Sequence, residues 1–151
     1  MTDESRTGQI YATQQLGFAI RRADQAMAAA TGRLLREVDL TTTQFAALVV
    51  LEDAPTGMSG AQLARICLVT PQTMATVLAN LAGRGLIDRE PAIVHHKVLI
   101  AQLSPAGRTL LRRAYELAMV TEERINAAFE DHELEQLREY LVRVVSAVSS
   151  A

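Results

Sequence analysis

Between Thr70 and Asn80 the chain reads TPQTMATVLAN. Gln72, Thr76 and Asn80 recur at steps of four with Thr73 beside them, while Met74, Val77, Leu78 and Leu81 fall on the other side. At helical spacing this gives one amide-and-hydroxyl face and one apolar face. Carboxamides can pair bidentately with adenine N6 and N7, and threonine can hydrogen-bond a base edge or touch the thymine methyl. Thr70 before Pro71 is a capping hydroxyl ahead of a proline at the first helical position, and the unpaired N–H groups of such a start suit a phosphate. Ser59 with Gln62 marks a second helix start just upstream. A polar helix face also suits plain solvation, so its meaning depends on what surrounds it.

The surroundings are basic. Of 151 residues 49% are hydrophobic and 21% charged, with a net charge of −2. That charge is uneven: residues 1–58 carry −2, residues 59–113 carry +5 and residues 114–151 carry −5. The cations of the centre are Arg65, Arg84, Arg89, Lys97, Arg108, Arg112 and Arg113. A basic centre between acidic flanks fits a polyanion-binding module, and Arg84, Arg89 and Lys97 sit where a helix end and a hairpin could meet a nucleic-acid backbone or minor groove.

Other chemistry is thin. His95 and His96 are adjacent, so in a strand they point to opposite faces and chelate one metal poorly. Imidazole near phosphate would favour its charged form, which leaves a pH effect open. Cys67, the single cysteine, lies between Ile66 and Leu68, the setting of a small buried hydrophobe rather than a thiol sensor. The sequence shows no glycine-rich phosphate loop, no Ser/His/Asp set and no metal-ligand spacing, so it reads as a non-enzyme without metal or cofactor. It also shows no export signal and no apolar run near the ~20 residues of a membrane span, which points to the cytoplasm.

The elements that must position these residues read as mainly α with a small β-wing. A first helix spans about residues 9–37, with Leu16, Ile20, Ala23, Met27, Ala30 and Leu34 in one stripe. Thr41 and Gln44 form a capping box for a second helix reaching Pro55, followed by a loop at residues 54–58. A short helix ending near Val69, a turn and the Thr70–Arg84 helix come next. Gly83 and Gly85 close that helix, and a two-stranded hairpin follows. Its strands begin near Leu86 and Lys97, with residues 90–96 as the tip. Ser104-Pro105 opens a long helix to about Phe129. After a link at residues 130–132, Leu134, Leu137, Leu141, Val144 and Val148 stripe the last helix.

Two short helices, a tight turn and a hairpin make a winged helix-turn-helix. Within that frame Leu40-Thr41-x-x-Gln44-Phe45-x-x-Leu48, Leu63-Ala64-Arg65, Thr70-Pro71-Gln72-Thr73-Met74, Leu81-x-x-x-Gly85-Leu86-Ile87-x-Arg89 and Leu103-Ser104-Pro105-Ala106-Gly107-Arg108 resemble the MarR family of transcriptional regulators, in order over roughly residues 10–150. The resemblance implies a homodimer with interlocked terminal helices. It implies double-stranded DNA with a pseudo-palindromic operator as partner, usually under repression. It also implies a small ligand, often a phenolic acid, between the dimer helices and the DNA-binding lobe. The chain departs from the family at the wing tip: His95-His96-Lys97 stands where Asp-x-Arg is common, replacing a planar fork and its anionic partner with a point charge.

The expected organisation is therefore 1–38 and 105–151 as dimerisation helices around a 39–104 winged lobe, all one structural domain. Two copies would bury both apolar stripes and set two recognition helices about 34 Å apart. For the ligand, Phe18 and Arg22 lie one turn apart and suit an aromatic carboxylate, with Tyr11, Phe45, Met74 and Arg112 as further candidates. Core or dimer packing explains each aromatic equally well. The rival reading is a winged helix serving protein interaction without sequence-specific DNA contact.

Overall fold

In the computed structural model the described residues are 15–92 and 98–149. Tyr11 and the wing tip His95-His96-Lys97 lie outside them. The elements are α1 Leu16–Leu35, a 3-10 turn Arg36–Val38, α2 Thr42–Glu52, β1 Met58–Ser59, α3 Gly60–Ile66, α4 Pro71–Gly83, β2 Ile87–Pro91, β3 Leu99–Leu103, α5 Pro105–Asn126 and α6 Asp131–Ser149.

Local chemistry sets most of these boundaries. Thr41 and Ser59 form complete capping boxes with Gln44 and Gln62. Thr70 and Ser104 accept from Thr73 N and Gly107 N, each ahead of a proline. Each cap contributes on the order of 1 kcal/mol. Three helical segments end in the same way, on a left-handed residue whose successor bonds back five positions. These are Asp39 (φ 53), with Leu40 N to Leu35 O at 3.1 Å, Leu68 (φ 55), with Val69 N to Ala64 O at 3.0 Å, and Gly85 (φ 68), with Leu86 N to Leu81 O at 3.0 Å. Glycine adopts that geometry at no steric cost, whereas Leu68 is held there against its preference.

Several boundaries differ from the sequence reading. The helix from Thr42 stops at Glu52 rather than reaching Pro55, and α3 stops at Ile66 rather than Val69 because the turn at Leu68 intervenes. The last link is residues 127–130 rather than 130–132, since α5 stops at Asn126 rather than near Phe129 and α6 already begins at Asp131. The wing is three-stranded, not two-stranded: Met58 and Ser59 pair antiparallel with Ala101 and Ile100, giving the order β1-β3-β2. In sequence Met58 reads as loop, because a two-residue strand carries no periodicity. Gly57, at φ +77, lies so close to β3 that a side chain there would overlap Ala101 O.

The core gathers residues from the α1 end through α5. Leu35, Leu48, Leu51, Leu63, Met74, Leu78 and Leu81 are its largest fully buried side chains. The sheet adds Leu86, Ile87, Ala101 and Leu103, and α5 adds Leu111 and Ala114. Ser104 joins the sheet to α5: its Oγ donates to Gly85 O at 2.7 Å and accepts from Gly107 N at 3.0 Å. Gly107 is required there, since a Cβ would overlap the Leu86 carbonyl oxygen. By contrast α6 has no buried residue, and α1 buries only Leu35.

Candidate nucleic-acid interface

Helices α3 and α4 meet at 113° across the Cys67–Thr70 turn, within the range of helix-turn-helix motifs. Met74, Leu78 and Leu81 press α4 into the core, which leaves Gln72, Thr73, Thr76 and Asn80 exposed on its outer side. The expected amide-and-hydroxyl face is thus present and accessible.

The face divides into two halves. At the start, Thr70 Oγ1 accepts from Thr73 N at 3.1 Å and lies 2.8 Å from Thr73 Oγ1. Thr76 Oγ1 donates to Gln72 O at 3.2 Å, leaving its lone pairs open. Among the described residues the Gln72 carboxamide has no partner, so it can present both donor and acceptor. The second half differs from the sequence reading. Asn80 Oδ1 accepts from Gln44 Nε2 at 2.8 Å, and Arg84 Nη1 donates to Asp39 O at 2.7 Å. Asn80 and Arg84 thus each make one side-chain hydrogen bond within the protein while staying exposed, and among the described residues Asn80 Nδ2 and the remaining Arg84 donors have no partner. Gln44 and Asp39 were not among the sequence-derived site residues. The capping box announced Gln44, but nothing local announced its second hydrogen bond.

Ser59 is also engaged, bonding Gln62 through both its hydroxyl and its backbone N–H. Arg89 is exposed on β2 beside exposed Asp88 and Glu90. The ion pair Arg108–Glu52, at 3.7 Å, joins half-exposed groups and adds little stability. Cys67 is half-buried, and burial pushes its thiol pKa up.

Of the ligand residues proposed from sequence, the five among the described residues are spread over α1, α2, α4 and α5. Met74 is fully buried between α4 and the core and cannot line a ligand site without opening the lobe. Phe45 packs edge-on against Tyr115, with centroids 5.5 Å apart. Phe18 and Arg22 are exposed on α1, and Arg112 Nη2 reaches Thr109 Oγ1 at 3.4 Å. A cleft of about 540 Å³ lies further along α1, lined by Ala28, Ala29, Gly32, Arg33, Arg36, Leu40, Thr41 and Thr42. It has an apolar floor and two guanidinium groups, and among the described residues none of Phe18, Arg22, Phe45, Met74 and Arg112 lines it. Among the described residues no single helix is long and apolar enough to cross a membrane.

The 113° helix pair, the exposed α4 and the three-stranded wing define a winged helix-turn-helix protein. Comparison with known proteins gives the family. A model described as MarR family matches residues 38–97. The HTH-type transcriptional repressor Rv2887 of Mycobacterium tuberculosis is 33% identical over 112 residues, covering 74% of this chain and 80% of that one. A crystal structure of that protein in complex with salicylic acid is 29% identical, with a TM-score of 0.69 over 86% of this chain and 96% of the other. The repressor CouR, named from Rhodococcus jostii RHA1 and bound to a 23-mer DNA duplex, is 25% identical, with a TM-score of 0.80 over 88% of this chain and 94% of the other. The chain belongs to the MarR family of winged-helix transcriptional regulators.

Proposed function

We propose that this chain is a homodimeric, cytoplasmic transcriptional repressor that binds a pseudo-palindromic operator and is released by a small aromatic acid. The observation that carries the DNA reading is the outer side of α4. There the Gln72 carboxamide is exposed and has no partner among the described residues, beside the accepting hydroxyl of Thr76 and next to a capped helix start. Amides and hydroxyls on a helix of this kind read the major groove, favouring A·T-containing half-sites. The CouR–duplex complex and the name of the Rv2887 relative support the same reading.

The dimer follows from the ends of the chain. Helix α6 exposes Leu137, Leu141, Val145 and Val148, and α1 exposes Leu16 and Phe18. A second copy would cover these stripes and present two α4 helices to successive grooves. For the effector, the salicylic acid complex of the relative Rv2887 supports an aromatic carboxylate. The Ala28–Thr42 cleft offers a small apolar floor with Arg33 and Arg36 for the carboxylate. Phe18 and Arg22 belong to the exposed α1 face and would meet a ligand only where the second copy closes over them.

The test is an electrophoretic shift with duplex DNA from upstream of the chain's own gene. Specific retardation is expected, and Gln72→Ala is expected to weaken it by about 5- to 100-fold, the range for one bidentate base contact. Salicylate at millimolar concentration is expected to reverse it. A chain that binds no DNA but pulls down a protein partner would replace this reading with that of a protein-interaction module.

A further inference from the structure

We propose that Gln44 and Arg84 are positioning residues that fasten the second half of α4 to the junction between α1 and α2, so that the attitude of α1 is delivered to the DNA-reading face. The inference rests on α4 being the recognition helix. It assigns Asn80 and Arg84 an inward role in place of the base and phosphate contacts that their exposure suggests.

The four polar positions Gln72, Thr76, Asn80 and Arg84 follow one another at steps of four along α4. The first two make no hydrogen bond outside their own helix among the described residues. The last two are both tied to the short stretch 39–44, by Gln44 Nε2 to Asn80 Oδ1 at 2.8 Å and Arg84 Nη1 to Asp39 O at 2.7 Å. Neither tie is a loose side chain meeting another. Gln44 is held at its other end, because its Oε1 accepts from Thr41 N at 2.9 Å in the capping box. The Asp39 carbonyl belongs to the left-handed residue on which the chain turns from α1 into α2, and Asp39 N bonds back to Arg36 O at 3.2 Å. Arg84 is itself the C-cap of α4, its N–H bonded to Asn80 O.

Met74, Leu78 and Leu81 hold α4 against the core, and hydrogen bonds on its outer side add a directional restraint to that packing. Hydrogen bonds weaken steeply as their angles open. Two of them, one turn apart on the outer stripe, fix the rotation of α4 about its own axis. That rotation sets where Gln72 and Thr76 point in a groove. The far side of the same junction, Arg36, Leu40 and Thr41, lines the cleft beneath α1. A ligand that shifts this junction therefore moves the anchors of α4 directly.

The experiment measures binding of an operator duplex, enriched from random sequence by the wild-type chain, and of a scrambled duplex, across a range of salt concentrations. Arg84→Met is expected to reduce the preference for operator over scrambled duplex by about five- to tenfold, with the slope of log affinity against log salt unchanged. Arg84→Lys, which keeps a donor for Asp39 O, is expected to restore most of the preference. Gln44→Ala combined with Asn80→Ala is expected to lose no more preference than Asn80→Ala alone. The inference is overturned if Arg84→Met lowers the salt slope and weakens both duplexes alike, which marks a phosphate contact. It is equally overturned if Arg84→Met behaves as wild type, or if the Gln44 and Asn80 losses add. A wild-type chain that enriches no sequence overturns the DNA reading itself, and is distinguishable because no variant enters that result.

Discussion

The middle of the chain and its two ends both carry apolar residues at helical spacing, yet they are opposite in burial. In the lobe, Leu48, Leu63 and Leu81 are 0% exposed. In α6, Val145 and Val148 are 62% and 70% exposed. The same pattern of apolar residues at steps of three and four thus describes a satisfied core in one place and an unsatisfied surface in the other. Periodicity tells which side of a helix wants cover; it does not tell which molecule supplies it. A lobe with its own core and ends without one is the construction expected when the ends close on a second copy.

The largest effect is expected in the lobe. Leu48→Ala removes a fully buried side chain and is expected to lower stability by about 2–5 kcal/mol in urea unfolding. Because the loss lies inside one chain, its stability difference from wild type should be the same at every protein concentration. Val145→Glu on α6 sharpens the opposite side. It is expected to leave the spectroscopic signature of the lobe intact while weakening self-association by about tenfold or more in dilution experiments.

The smallest effect concerns Cys67. Burial disfavours its thiolate and raises the folded pKa, so the stability contributed is complete below the unfolded thiol's range and is lost as pH rises through the folded value. Alkylation of the folded chain at neutral pH is expected to be slower than that of the urea-unfolded chain, the gap narrowing in alkali. Equal rates at neutral pH would show that the thiol is not shielded.

Much of this architecture was legible because the chain states its boundaries locally. Thr41-Gln44, Ser59-Gln62, Thr70-Pro71 and Ser104-Pro105 each announce a helix start, and all four caps are formed. Gly85 announces a helix end. Leu68 does not, since a leucine gives no local hint of a left-handed turn, and α3 was read three residues too long. Strand β1 was missed because Met58 and Ser59 pair with residues some forty positions away. The binding face was legible as a face. Its division into a free half and a tied half was not, because Asn80 meets Gln44 and Arg84 meets Asp39 across separations of 36 and 45 residues. Met74 shows the converse. Its type suits a ligand pocket, but its place on the apolar face beside Leu78 and Leu81 already points inward, and it is fully buried.

The exposed ends are expected to make the dimer, and the dimer to present the lobes. Sedimentation equilibrium at micromolar concentration, with and without an operator duplex, tests it most directly. The expected result is a species of twice the 16.4 kDa chain mass, which binds one duplex as a pair. A single species of 16.4 kDa, or one chain per duplex at saturation, would contradict it.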